Sequence, residues 1–188
     1  VISRDYQWAI AAPWGNQGSE GFHAWLTIDG TVHKINSTTS NLDQWYHLVL
    51  TYDSDTFKFF VNGSMVGSRD LNSPIVPVTE ENGAQTRVGG HYNYPNAPGG
   101  VFDGHVDGVA IWDITLTDAE IETLYNNGNG TYPGDMKSDD LAFFTPIEFN
   151  DGYADVVGGY NGTASGEVYQ ATGATGDVVG SWDSSSLS

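Results

Sequence analysis

Holding a sugar takes flat aromatic faces for C–H stacking, flanked by amide or carboxylate groups that reach its hydroxyls. Two stretches offer that combination. One is APWGNQG, with Trp14; the other is GGHYNYPNAPGG, residues 89–100, which sets His91, Tyr92, Tyr94 and Asn96 between two pairs of glycines. Both are Gly- and Asn-rich connections, the kind of segment that exposes side chains to a partner. Tyr and Asn serve protein-binding loops equally well, so the ligand they imply is a glycan or a neighbouring protein subunit.

Other chemistries leave no such trace. The chain has no Cys, which removes disulfides, thiolate metal sites and cysteine nucleophiles. Its histidines, His23, His33, His47, His91 and His105, show no H-x-x-x-H ligand spacing, and no G-x-S-x-G elbow occurs. Acidic side chains number 24 against 6 basic, a formal charge of −18. That balance repels a phosphate backbone, so nucleic acid and anionic membrane surfaces are poor partners. Divalent cations, neutral sugars or a salty medium suit it better. No apolar run approaches membrane-spanning length, which excludes insertion by a helix. Sequons at Asn36, Asn62, Asn129 and Asn161 fit an extracellular chain. The sequence opens on strand-like residues with no signal peptide, as a mature product or a piece of something longer would.

The elements that position these residues read as short strands. With 24 Gly and 13% aromatic residues, the 188-residue chain leans towards strands joined by tight turns. FHAWLTI, Asp29-Gly30 and TVHKI make one hairpin, with Phe22, Ala24, Leu26 and Ile28 on one face. WYHLVLTYD alternates from Trp45 to Asp53, placing Tyr46, Leu48, Leu50 and Tyr52 together. TFKFFV, Asn62-Gly63 and SMVGS make a second hairpin, so three antiparallel strands follow in succession. Residues 71–85 read as a loop before TRVGG resumes a strand. Thr117-Asp118-Ala119-Glu120 is a capping box that opens a helix of about two turns, with Asn127-Gly128 as its C-cap.

In order and spacing, LDQWYHLVLTYD, FKFFVNGSMVGS, TRVGG and VFDGHVDGVAIWDITLTDAEIETLYNNG resemble the laminin-G-like branch of the concanavalin A-like lectin/glucanase superfamily, with the match running over residues 42–128. The resemblance implies an all-β fold, a two-sheet antiparallel jelly-roll sandwich with one short helix. Within it Trp45 serves as a large core anchor. It further implies that IEFNDGYADVVGGYNGTASGEV, which resembles the opening of such a domain, stands at the wrong end of the chain. The expected organisation is therefore a sandwich core over 1–133 and a C-terminal segment over 134–188. In the latter, residues 141–168 complete either the chain's own sandwich or a neighbour's.

The glucan-cutting relatives carry an E-x-D-x-x-E strand, and none occurs here; Glu80-Glu81 lies in the proline-flanked loop, and Glu120 and Glu122 on the helix. The resemblance therefore implies no enzyme. Laminin-G-like domains often hold one Ca²⁺ at the rim through carboxylate and carbonyl oxygens. By that likeness the ligands are Asp103 and Asp107 in FDGHVDG with Asn150 and Asp151 in NDG, Asp107 having a second reading as a structural acceptor. Two functions stay open. One is an extracellular module that binds carbohydrate, with calcium assisting. The other is a structural module of a cell-surface or virion assembly, a homo-oligomer or tandem array in which the C-terminal segment makes the subunit contact.

Overall fold

Two dipeptides with left-handed backbone set the local architecture. Asp29 (φ 49°) and Gly30 (φ 74°) turn strand β3 (His23–Ile28) back into β4 (Thr31–Asn36). Asn62 (φ 52°) and Gly63 (φ 74°) do the same between β6 (Thr56–Val61) and β7 (Ser64–Asp70). Positive φ at both turn positions matches the right-handed twist of the flanking strands, which is why Asp-Gly and Asn-Gly occupy them. These features belong to a computed structural model that describes residues 2–4, 7–12, 21–37, 40–76, 85–90, 102, 104–147, 156–157 and 159, together with the backbone of 168–172 and 178–182.

The described chain divides into two compact units, residues 1–102 and 103–188. In the first, β1 (Ile2–Arg4), β2 (Trp8–Ala11) and β8 (Thr86–Val88) join the first hairpin in a five-stranded antiparallel sheet of order β4-β3-β2-β1-β8. The strand β5 (Leu48–Tyr52) pairs with the second hairpin in a three-stranded antiparallel sheet, β5-β6-β7. Ile10, Ala24, Leu26 and Ile35 of the larger sheet meet Phe57 and Phe59 of the smaller in one buried cluster. Each buried Phe or Leu contributes about 1.5–3 kcal/mol by leaving water.

Alternation delivers these residues to one face: Ala24, Leu26 and Ile28 are buried, whereas Trp25 and Thr27 between them are half-buried. The β6–β7 ladder shifts between Phe59 and Phe60, where Val66 is the extra residue of a bulge on β7; Phe59 and Phe60 are both buried, and Phe59 belongs to the cluster. Leu48, Leu50 and Tyr52 pack against the cluster, as their spacing predicts. Trp45 does not anchor the core. It is 41% exposed and lies three residues before β5 begins. Phe57, Phe59 and Leu26 supply the bulk assigned to it.

At one side of this unit the two sheets approach through β4 and β7. Gly67 lies against Ile35, and Arg69 Nε donates to the Lys34 carbonyl at 2.9 Å.

The second unit contains β9 (Gly104–His105), β10 (Val109–Trp112), helix α1 (Asp118–Tyr125), β11 (Leu141–Thr145), β12 (Val168–Thr172) and β13 (Val178–Trp182). Strand β10 pairs antiparallel with β11, and β12-β13-β9 form a three-stranded antiparallel sheet. Helix α1 starts in a full capping box: Thr117 Oγ1 accepts from Glu120 N at 3.3 Å, and Thr117 N donates to Glu120 Oε2 at 2.8 Å. Ile121 and Leu124 are its buried residues. It ends one residue earlier than Asn127-Gly128 predicts, because Asn126 already takes the left-handed conformation (φ 47°) that closes the last turn. The expected all-β, antiparallel sandwich with one short helix is the observed fold.

Candidate functional site

A cleft of about 240 Å³ opens in the first unit, lined by Phe22, Ser37, Ser40, Tyr46, Val61, Asn62 and Val66. Most of these residues sit at the ends of elements or in the connections between them. Phe22 precedes β3 and Ser37 follows β4, and the two are tied because Ser37 N donates to the Phe22 carbonyl at 2.7 Å. Ser40 and Tyr46 belong to the connection into β5. Val61, Asn62 and Val66 come from the end of β6, its turn and β7.

Tyr46 is held from its hydroxyl end. That hydroxyl accepts from Asn41 N at 2.8 Å and donates to Gln44 Oε1 at 3.2 Å. What it offers the cleft is therefore its ring, whose centroid lies 5.1 Å from that of Phe22 at a 59° tilt. Asn62 is held as firmly. Its backbone N donates to the His47 carbonyl at 2.8 Å and its Oδ1 accepts from His47 N at 2.9 Å. Because Oδ1 must face a donor, the amide cannot flip, and Nδ2 is the group left to serve a ligand.

Among the described residues no carboxylate, ammonium, guanidinium or imidazole lines the cleft, in a chain of formal charge −18. Two tilted rings, a fixed amide donor, two serines and two valines can grip a neutral molecule with an apolar face and polar edges. At about 240 Å³ the cleft lies below the ~300–1,000 Å³ of sites that enclose drug-sized ligands. It suits one ring or one side chain. The segments that supply the walls also carry exposed apolar residues, with Leu42 81%, Trp45 41% and Met65 48% exposed.

Of the site residues expected from sequence, Trp14, His91, Tyr92, Tyr94, Asn96, Asp103, Asn150 and Asp151 lie outside the described residues. Asp107 is half-buried between β9 and β10, followed by Gly108 at φ 55°. Among the described residues no group of three or more His, Cys, Asp or Glu is placed to hold a metal ion. Sequence reasoning missed Phe22, Tyr46 and Asn62 as site residues because it spent all three on the fold: two as members of apolar strand faces, one as a hairpin turn. The available signal was that each stands at the boundary of an element, where a side chain can serve packing and surface together.

Antiparallel sheets packed through an aromatic core, with a cleft at their turns, define a lectin-like β-sandwich. The chain matches, over residues 3–122, the model of a laminin G family described as the concanavalin A-like lectin/glucanases superfamily, and it belongs to that family. Among solved structures it is similar to a candidate carbohydrate binding protein from Bacteroides ovatus, with 17% identity, a TM-score of 0.57, and coverage of 96% of this chain and 46% of that one. The chain thus spans about half the length of that protein. A weaker likeness links it to an S-layer domain-containing protein from Clostridium thermocellum, at 19% identity, a TM-score of 0.38 and 64% coverage of each chain. No curated protein matches the chain. Among the described residues no helix is long and apolar enough to cross a membrane.

Proposed function

We propose that the chain is a non-catalytic, extracellular recognition module that binds carbohydrate in the Phe22–Tyr46–Asn62 cleft. The observation that carries the reading is the cleft's combination, among the described residues, of two rings with an amide held in one orientation and no charged side chain. A sugar ring presents C–H bonds on one face and hydroxyls at its edge, which such a surface complements. The fold shared with the candidate carbohydrate binding protein supports the same reading.

The test is calorimetric titration of the intact chain with a panel of neutral oligosaccharides, followed by the winning ligand on variants. Tyr46→Leu and Phe22→Leu are each expected to weaken binding roughly three- to tenfold, the value of one aromatic contact. Full affinity in both variants, with loss in Tyr92→Ala, would move the site to the 89–100 loop. Silence on every glycan, together with concentration-dependent self-association, would replace the reading with that of an assembly module.

A further inference from the structure

We infer that the cleft selects a neutral sugar carrying an acetamido group over a plain hexose or a uronic acid. This rests on the carbohydrate reading above and adds the chemical class of the ligand. The acetamido group has two ends, a carbonyl oxygen that needs a donor and a methyl that needs an apolar contact. The cleft is lined by both kinds of group: the Asn62 amide, and the apolar Val61, its neighbour in sequence, with Val66 from β7.

Asn62 is the donor whose orientation the fold fixes, beside the Ser37 and Ser40 hydroxyls, which can donate or accept. Asn62 Oδ1 is spent on His47 N, so Asn62 Nδ2 faces a ligand only as a donor. The Tyr46 hydroxyl is engaged by Asn41 N and Gln44 Oε1. An amide that can only donate discriminates in favour of a carbonyl acceptor, whereas a sugar hydroxyl, itself donor and acceptor, gains less from it. The ring faces of Phe22 and Tyr46, tilted at 59°, are left to hold the pyranose itself. A carboxylate in place of the acetamido group would meet no cation among the described lining residues and would enter the field of a chain charged −18.

The experiment uses the intact chain made in bacteria, so that Asn62, itself a sequon residue, carries no glycan. Methyl N-acetylglucosaminide, methyl glucoside and methyl glucuronide are titrated by chemical-shift perturbation. The acetamido sugar is expected to bind about tenfold tighter than the glucoside, the increment that one hydrogen bond and one buried methyl supply together. The glucuronide is expected to be weakest. Asn62→Asp keeps the acceptor for His47 N and tolerates the left-handed turn, yet replaces the donor; it should reduce the preference to about twofold or less. Val66→Thr, on an exposed strand, removes one apolar contact for the methyl and should lower the preference for the acetamido sugar over the glucoside to about threefold or less.

Equal affinity for the acetamido sugar and the glucoside overturns the inference and leaves the carbohydrate reading standing. A preference that survives both variants overturns it too, because the group is then held elsewhere. Absence of binding by all three sugars, with binding to no other glycan, removes the carbohydrate reading itself. Should Asn62→Asp fail to fold, Val66→Thr alone decides.

Discussion

A Cβ atom added at Gly67 would stand 2.7 Å from Ile35 Cγ2, closer than carbon atoms approach without displacement. The glycine is there because β7 and β4 meet at that point, opposite Phe59 on β6. Gly67→Ala is therefore expected to destabilise the protein by about 1–3 kcal/mol, through overpacking against a β-branched side chain with little rotamer freedom. Chemical denaturation of a double-mutant cycle checks it. In an Ile35→Ala background, the second substitution should cost markedly less; equal costs would show that strain lies elsewhere.

Helix α1 is short, so its cap carries an unusual share of its stability. Thr117→Ala removes the acceptor for Glu120 N and is expected to cost about 1 kcal/mol by denaturant titration. Glu120→Gln should cost less, since an amide oxygen still reaches Thr117 N, although the contact of Glu120 Oε1 with Lys137 Nζ at 3.3 Å is weakened.

How much of this was legible in sequence differs from residue to residue. Asp29-Gly30, Asn62-Gly63 and Thr117 to Glu120 spelled out their structures because each demand is local: a positive φ, or a side chain that reaches a nearby N–H. The helix end slipped by one residue, since Asn126, Asn127 and Gly128 all accept left-handed backbone and composition cannot rank them. Trp45 was misplaced for a different reason. Alternation continues from β5 through Tyr46 and Trp45, yet the Tyr46 hydroxyl is bonded to Asn41 N and Gln44 Oε1, which shapes that segment as a connection. The cleft was illegible because it depends on which turns converge, a property of register and packing that no single stretch encodes.

Burial lowers the pKa of His47 from its ordinary 6.5. The folded protein thus binds this proton less readily than the unfolded chain. Stability from this group is full above about pH 6.5 and falls as pH drops from there through the folded pKa, below which it levels off. His47→Gln is expected to flatten that part of the stability profile, measured as thermal midpoint between pH 7.5 and 5. An unchanged slope would assign it to other groups.

Calcium and sugar are expected to act separately. Among the described residues the cleft is lined by no carboxylate, so EDTA should leave glycan affinity unchanged. We propose that any calcium held by Asp103, Asp107, Asn150 and Asp151 raises the thermal midpoint instead, and that Asp107→Asn abolishes the rise. Loss of glycan binding on chelation would tie the two sites together.

The meeting of β4 and β7 has a further consequence for how copies of this chain treat one another. Each is the outer strand of its sheet, and an outer strand ordinarily invites a second molecule to extend the ladder. Here the two lie against each other, Arg69 occupies a carbonyl of β4, and Lys34 and Arg69, two of only six basic residues, stand on the strands themselves. That side of the unit is insulated against fibre growth by the same glycine that lets it close.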